Sequence, residues 1–469
     1  MKSPSAIKDS CGVVGVFGHK DAARLAYLAL YSLQHRGEES CGIASFNGEK
    51  VCSHKGMGLV GDVFKEAELK RLKGNLAVGH VRYSTTGTSD IRNAQPFTVH
   101  NKRGYLSVAH NGNLTNSKKL RVQLENEGSI FQTSMDSEIV LHLLVKDADK
   151  SIEERFKKSL LQLKGAYSFV MMANNCLFGM RDPRGFKPLC LGKIDGAYVL
   201  VSETCALDIM GASYIRDIEP GEIVRIDSEG VKSIDFAKGE KHAFCIFENI
   251  YFARPDSSIF MGSVYETRKN LGRALAKEYP VDADFVMPVP DSGTIAALGY
   301  AEESDLPLEM AMVRNHYVGR TFIQPSQLSR DFKVKVKLNP VREIIKDKRI
   351  IIVEDSIVRG TTSKGRVRAL RKAGAKEIHM RISCPPLVSP CYYGIDFPTK
   401  KELIAFRLSE KEIGKFIGVD SLKYLSLEGM LKSMQIPGKE FCNACFTGIY
   451  PTPIKRKPRK KDLEGRNRR

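Results

Sequence analysis

The run Arg349-Ile350-Ile351-Ile352-Val353-Glu354-Asp355-Ser356-Ile357-Val358-Arg359-Gly360-Thr361-Thr362 carries the densest chemistry in this sequence. Its β-branched residues make a buried strand, two acids follow, and Gly360-Thr361-Thr362 opens a helix. Backbone N–H groups at a helix start bind phosphate, and the two hydroxyls add donors. Glu354 and Asp355 suit other parts of the same ligand, namely ribose hydroxyls and a magnesium ion. The spacing is not that of a Walker A loop, which ends in Gly-Lys-Ser/Thr. A second site, Cys442-Asn443-Ala444-Cys445, is compatible with a metal, a redox pair or plain packing. A zinc ribbon needs a second C-x-x-C, which the chain lacks, and a thioredoxin-type pair sits early in its domain. Gly56-Met57-Gly58-Leu59-Val60-Gly61 fits a dinucleotide-binding glycine pattern, but no acid follows about 20 residues on, so that reading is rejected.

Cys11 opens the run Cys-Gly-Val-Val-Gly-Val-Phe, and a thiol at a strand start is ordinarily buried filler. Four polar groups change its standing. Gln34-His35-Arg36-Gly37 lies where a helix passes into a loop, and Gly79-His80-Val81-Arg82-Tyr83-Ser84-Thr85 ends a strand. His110-Asn111-Gly112-Asn113 ends another strand, and Ser134-Met135-Asp136-Ser137-Glu138 caps a helix.

These residues need a scaffold. From residue 11 to about 235 short strands (Gly12–Phe17, Gly42–Asn47, Leu76–Tyr83, Tyr105–Ala109, Ala166–Ala173, Tyr198–Ser202, Ile223–Ile226) are interrupted by helices at Asp21–Gln34, Ser137–Lys146 and Ser151–Leu163, the grouping of an α+β layered domain. Thereafter helix Val264–Glu278, strand Phe285–Val289, strand Ile350–Val353, helix Ser363–Lys372 and strand Glu377–Ser383 predict βαβ units and a parallel sheet. The 469 residues allow several cores, and 42% hydrophobic with 27% charged residues excludes wholesale disorder. The longest uncharged stretch, Gly165–Met180, has 16 residues, short of a membrane span, and Met1–Ser10 has no apolar signal region. A soluble, cytoplasmic protein is expected, with no membrane partner. Eleven cysteines, an odd and sparse number, exclude a disulfide scaffold. Of the net charge of +19, Lys455–Arg469 carries +7, which reads as a solvated tail rather than a nucleic-acid arm. The remaining excess would attract phosphorylated substrates.

The first set of motifs, in this order, resembles the class II (N-terminal-nucleophile) glutamine amidotransferases over about 225 residues. The resemblance implies a four-layer αββα glutaminase domain over 11–240, preceded by a propeptide, 1–10, whose removal frees the α-amine of Cys11. That amine, which titrates near ~7.7–8.0, would serve the thiol as base. It further implies that Arg82 grips the α-carboxylate of glutamine, Asp136 its α-ammonium, and Asn111 with the Gly112 N–H the oxyanion. Glu38 departs from the glutamine usual after Gln-His-Arg-Gly, and no catalytic role is assigned to that position.

The 349–362 run resembles the phosphoribosyl-diphosphate signature of type I phosphoribosyltransferases, with Glu354 where most members have aspartate. The resemblance implies an α/β phosphoribosyltransferase domain with a parallel sheet over 241–453, followed by a basic tail, 454–469, expected to be disordered. Pro288-Val289-Pro290-Asp291-Ser292-Gly293-Thr294 looks like the pyrophosphate loop, and Gly319-Arg320-Thr321-Phe322 like the start of a closing lid. The implied ligand contacts are Asp291, Ser292, Gly293, Arg320, Thr321, Glu354, Asp355, Ser356, Gly360, Thr361 and Thr362, with Mg2+ at Ser292, Glu354 and Asp355. Cys245, Cys391, Cys442 and Cys445 match the ligands of a [4Fe–4S] cluster in an iron–sulfur amidotransferase subgroup, in preference to Cys384. Together the resemblances imply glutamine-dependent amination of 5-phosphoribosyl 1-diphosphate, releasing glutamate and pyrophosphate, at the start of purine synthesis. They also imply inhibition by purine nucleotides and a homo-oligomer, tetramer or dimer. The alternatives are another class II amidotransferase, whose acceptor-domain signatures are missing here, or a phosphoribosyltransferase-like regulator that senses nucleotides.

Overall fold

The computed structural model describes residues 11–83, 89–146, 149–237, 239–315, 338–397, 399–454 and 463. The expected propeptide, the lid residues Arg320 and Thr321, and all of the basic tail beyond Ile454 except Leu463 therefore lie outside the described residues. Leu463 is buried.

Two stacked antiparallel sheets build the first half. The first contains β1 (Gly12–Phe17), β2 (Ser40–Phe46), β3 (Val51–Met57), β4 (Leu76–Arg82), β9 (Cys190–Ile194), β10 (Ala197–Val201) and β11 (Ser213–Asp217), in the order β11-β9-β10-β1-β4-β2-β3. The second contains β5 (Phe97–Asn101), β6 (Gly104–Leu114), β7 (Gly165–Ala173), β8 (Cys176–Arg181), β12 (Glu222–Asp227) and β13 (Gly230–Asp235), in the order β13-β12-β8-β7-β6-β5. The alternation of strand side chains sorts the core into layers. Val13, Val78, Val170 and Leu200 fill the space between the sheets. Val14, Val16 and Val81 face outward under helix Ala22–Ser32, while Phe169, Met171 and Phe178 pack beneath helices Glu138–Leu144 and Ile152–Leu160. The result is the four-layer αββα stack.

One expectation fails. The expected strand Tyr105–Ala109 stops short: β6 continues to Leu114, so His110-Asn111-Gly112-Asn113 lies within its far end, with Asn111 paired to Ser168 and Gly112 to Tyr167. Polar residues disguise that continuation, as they disguise edge strand β3, which contains the rejected glycine pattern's first residues.

The second half carries a four-stranded parallel sheet of β17 (Phe285–Pro288), β20 (Arg349–Glu354), β21 (Glu377–Ile382) and β22 (Ser421–Tyr424), paired in that order. The largely apolar runs of β17 and β20 are those of strands covered on both faces. Val286, Ile351, Ile352 and Met380 share one core with Leu271 and Leu275 of helix Val264–Glu278, Tyr300 of helix Thr294–Ser304, and Val367 of helix Thr361–Lys372. The remaining short strands are β14 (Phe244–Cys245), β15 (Ser258–Ile259), β16 (Gly262–Ser263), β18 (Met312–Arg314), β19 (Leu338–Pro340) and β23 (Phe441–Cys442). Among the described residues no helix is long and apolar enough to cross a membrane.

Candidate active site

Cys11 immediately precedes β1, whose first residue pairs with Val81, so the thiol sits at the end of β4. Its Sγ donates to the Tyr83 carbonyl at 3.4 Å. Burial pushes the thiol up, an effect that the Tyr83 hydrogen bond and the Arg82 charge only partly oppose. A thiol so placed is a poor nucleophile without a base. Beneath it lies a charge network that sequence reading passed over. Arg36, at the end of the short helix Leu33–Arg36, donates Nε–H to the Cys11 carbonyl at 2.9 Å and its other nitrogens to Glu203 and Glu248. Lys187 Nζ reaches Glu248 at 2.8 Å, and all four side chains have 0% exposure. Burial alone would lift both carboxyls, yet their cationic neighbours hold them below the usual range. Four charges so deeply buried are tolerable only because each is paired.

Arg82, 3% exposed, pairs with Glu39 Oε1 at 2.6 Å. Gly37 backs this pair so closely that a Cβ there would lie 2.7 Å from the Arg82 carbonyl carbon. In β6, Gly112 has φ +147°, and a Cβ would lie 2.1 Å from the Ala166 carbonyl oxygen. Only glycine fits. His80, from β4 in the facing sheet, ties itself to the residue before Asn111, its Nε2 lying 3.0 Å from the His110 carbonyl. Burial lowers His80 to about 3, so the ring is neutral and Nε2–H donates. Asp136 accepts from Leu114 N–H at 2.8 Å and lies 3.5 Å from His110 Nδ1. Burial would raise its carboxyl, but His110 and the backbone donors carry it lower. Cys11, Arg82, Asn111, Gly112 and Asp136 therefore all attach to neighbouring ends of β1, β4 and β6.

In the second domain, Gly360 (φ +72°) caps helix Thr361–Lys372, which starts two residues before the expected Ser363 and places Thr361 and Thr362 in its first turn. Glu354, the last residue of β20, is held by Arg366 and, at 3.0 Å, by Ser363, both on that helix. Asp355 accepts from the Ser356 and Ser292 hydroxyls, which joins the two loops. Burial pushes both acids up. Gly293 packs against β20, a Cβ there lying 2.4 Å from the Val353 oxygen, and Asp291 pairs with Arg314. A divalent cation would suit these acids, since it returns the charge that burial disfavours.

All eleven cysteines are free among the described residues. Parallel pairing of β14 with β23 sets Cys245 opposite Cys442. Cys442 feels the charge of Cys245 and Cys391, Cys445 that of Cys442, Cys245, Cys391 and Cys384, and Cys245 that of Cys391, while Lys187 faces Cys245 and Cys391. Among the described residues, no three His, Cys, Asp or Glu groups converge closely enough for a single metal ion. Four thiolates are the donor number of a [4Fe–4S] cluster, and these four cysteines would be the ones to hold it. Cys384 instead donates to the Pro385 carbonyl.

A family profile described as "Glutamine amidotransferase domain" matches residues 80–208. The chain is 52% identical to amidophosphoribosyltransferase 1, chloroplastic, of Arabidopsis thaliana over 95% of its own length and 79% of that protein. It is 48% identical to the Bacillus subtilis amidophosphoribosyltransferase over 96% of this chain and 95% of that one. The solved glutamine phosphoribosylpyrophosphate amidotransferase from B. subtilis, complexed with ADP and GMP, superposes with a TM-score of 0.92 at 47% identity, covering 97% of this chain and 100% of that one. With identities of 47–52% over 95–97% of its length, the chain belongs to the amidophosphoribosyltransferase family.

Proposed function

We propose that this chain makes 5-phosphoribosylamine from 5-phosphoribosyl 1-diphosphate and glutamine, the first step of purine biosynthesis. The observation that carries the reading is the coexistence, in one chain, of a thiol at the start of a glutaminase-type sandwich and a phosphate loop at the end of a parallel strand. Residues 11–240 form the glutaminase domain, 241–453 the phosphoribosyltransferase domain and 454–469 a basic tail, with 1–10 cleaved as a propeptide. Cleavage supplies the base that the burial-raised thiol needs, the α-amine of Cys11 itself.

The Cys11 sulfur attacks the amide carbon of glutamine while the amine takes the thiol proton. Asn111 and the Gly112 N–H stabilise the oxyanion, each donor worth about 3 kcal/mol. The C–N bond breaks, ammonia departs with the returned proton, and water hydrolyses the thioester to glutamate. Arg82 and Asp136 hold the α-carboxylate and α-ammonium, and Asp136, kept ionised by His110, is matched to a cation. Ammonia then attacks the anomeric carbon as the C–O bond breaks and pyrophosphate leaves with the electron pair. Asp291, Ser292, Gly293, Arg320 and Thr321 bind the diphosphate, Glu354 and Asp355 the ribose, and Ser356, Gly360, Thr361 and Thr362 the 5′-phosphate. Ser292, Glu354 and Asp355 would hold Mg2+, which when bound would neutralise charge on the leaving group. Cys245, Cys391, Cys442 and Cys445 would hold one [4Fe–4S] cluster of structural role. Purine nucleotides are the expected inhibitors, and a dimer or tetramer the expected assembly. The test is release of glutamate and pyrophosphate in equal amounts, dependent on both substrates; a chain that hydrolyses glutamine but never consumes the phosphoribosyl donor would refute the reading.

A further inference from the structure

The strand carrying Asn111 and Gly112 is touched by the other domain at Tyr392 and Gly394 of one segment. Asn113, the residue after Gly112, donates Nδ2–H to the Tyr392 carbonyl at 2.9 Å, in a buried setting. Gly394 has φ +105°, and a Cβ there would stand 3.0 Å from the Gly112 carbonyl carbon and 3.1 Å from its Cα. Between them, Tyr393 stacks on Phe186 with ring centroids 4.2 Å apart and packs with Ala166, whose carbonyl oxygen a Cβ on Gly112 would meet at 2.1 Å. Gly112 thus lies tightly against both Ala166 of its own domain and Gly394 of the second domain. The backbone of β6 cannot turn there without moving one of them, since packed interiors transmit displacement rather than absorb it.

We propose that residues 392–394 of the second domain are a positioning brace for the oxyanion-binding N–H of Gly112, so that the glutaminase reaches full rate only when this segment is seated. The inference rests on the oxyanion reading above and adds to it residues that touch neither substrate. Cys391 begins the segment, and its Sγ accepts from Tyr393 N–H at 3.3 Å. Whatever orders that thiol therefore also orders the brace.

Gly394→Ala and Asn113→Ala test this in the full, processed chain, with glutamine-driven and ammonia-driven amination measured side by side. A brace predicts that Gly394→Ala lowers the kcat for glutamine at least tenfold while the KM for glutamine and the ammonia-driven rate stay within about twofold, because an oxyanion donor acts in the transition state rather than in ground-state binding. Asn113→Ala should show the same split, less deeply. If Gly394→Ala fails to fold, Asn113→Ala decides alone. Loss of both activities in parallel in Asn113→Ala, or no change in either, overturns the brace. The wild-type glutamine-driven rate, read in the same assay, reports separately on the underlying function.

Discussion

Cys11 is held by partners drawn from far along the chain, Tyr83 72 residues away and, through Arg36, Glu248, which lies 212 residues beyond that arginine. The phosphoribosyl loop instead takes Glu354, Asp355, Ser356, Gly360 and Thr361 from eight consecutive residues between one strand and one helix. The first arrangement suits a nucleophile that must be fixed to a fraction of an ångström, since sheet strands and buried ion pairs leave it few ways to move. The second suits a large anionic ligand, for which a helix start and backbone N–H groups supply most of the binding. The two also fail differently. Damage to the loop should stay local, whereas damage under Cys11 should spread, because its supports belong to both domains.

The largest contrast comes from Cys11→Ala, which should drop the glutamine-driven reaction to background and leave ammonia-driven amination intact, read by glutamate and pyrophosphate release. Next is Glu248→Gln. It removes the anion shared by Arg36 and Lys187, three side chains with no exposure, and should cost about 3–5 kcal/mol, read as a fall in the unfolding midpoint with both activities weakened. An undiminished midpoint would mean the network is not the joint described above. Gly360→Ala should be milder and confined. The left-handed backbone at φ +72° costs a side chain about 1–2 kcal/mol, and its Cβ would meet Ile404 Cδ1 at 2.8 Å. The KM for the phosphoribosyl donor should rise several-fold, with glutamine hydrolysis in its absence unchanged.

The same contrast explains what could be read without coordinates. The phosphate loop was legible almost to the residue because its parts are contiguous and its strand is an apolar run that then breaks into acids; the strand runs one residue further at each end, to Arg349 and Glu354, and the helix starts two residues early. The layered fold of the first half followed from the grouping of its short strands and helices, and its four layers from the resemblance, but β3 and the far half of β6 did not, since Lys55, His54, Asn111 and Asn113 interrupt the apolar pattern. The motif around Arg36 was visible, yet its role was not. A buried arginine is recognisable only from its counter-ions, and Glu203 and Glu248 lie too far along the chain for spacing to connect them. The one available hint was Glu248 itself, three residues beyond Cys245 within an otherwise apolar stretch.

The smallest effect separates the two sheets of the glutaminase domain from their surroundings by pH. His80 is lowered to about 3 by burial and is neutral in the folded chain, whereas in the unfolded chain it titrates near 6.5. Below 6.5 the unfolded state binds a proton that the folded state refuses. The stabilisation is therefore complete above pH 6.5 and is lost progressively as pH falls toward 3, by about 1 kcal/mol between pH 6.5 and 5.5. Asp182, raised to about 6 by burial, acts in the opposite sense as pH falls below that value, so a bare pH profile mixes the two. Comparison with His80→Gln, which retains a donor for the His110 carbonyl but cannot titrate, cancels the Asp182 contribution. The difference in unfolding free energy between wild type and variant should move by about 1 kcal/mol across that interval, in favour of the variant at the acid end. A difference independent of pH would mean that the ring is not held neutral between the sheets, and that the tie from β4 to the strand of Asn111 is made by an imidazolium instead.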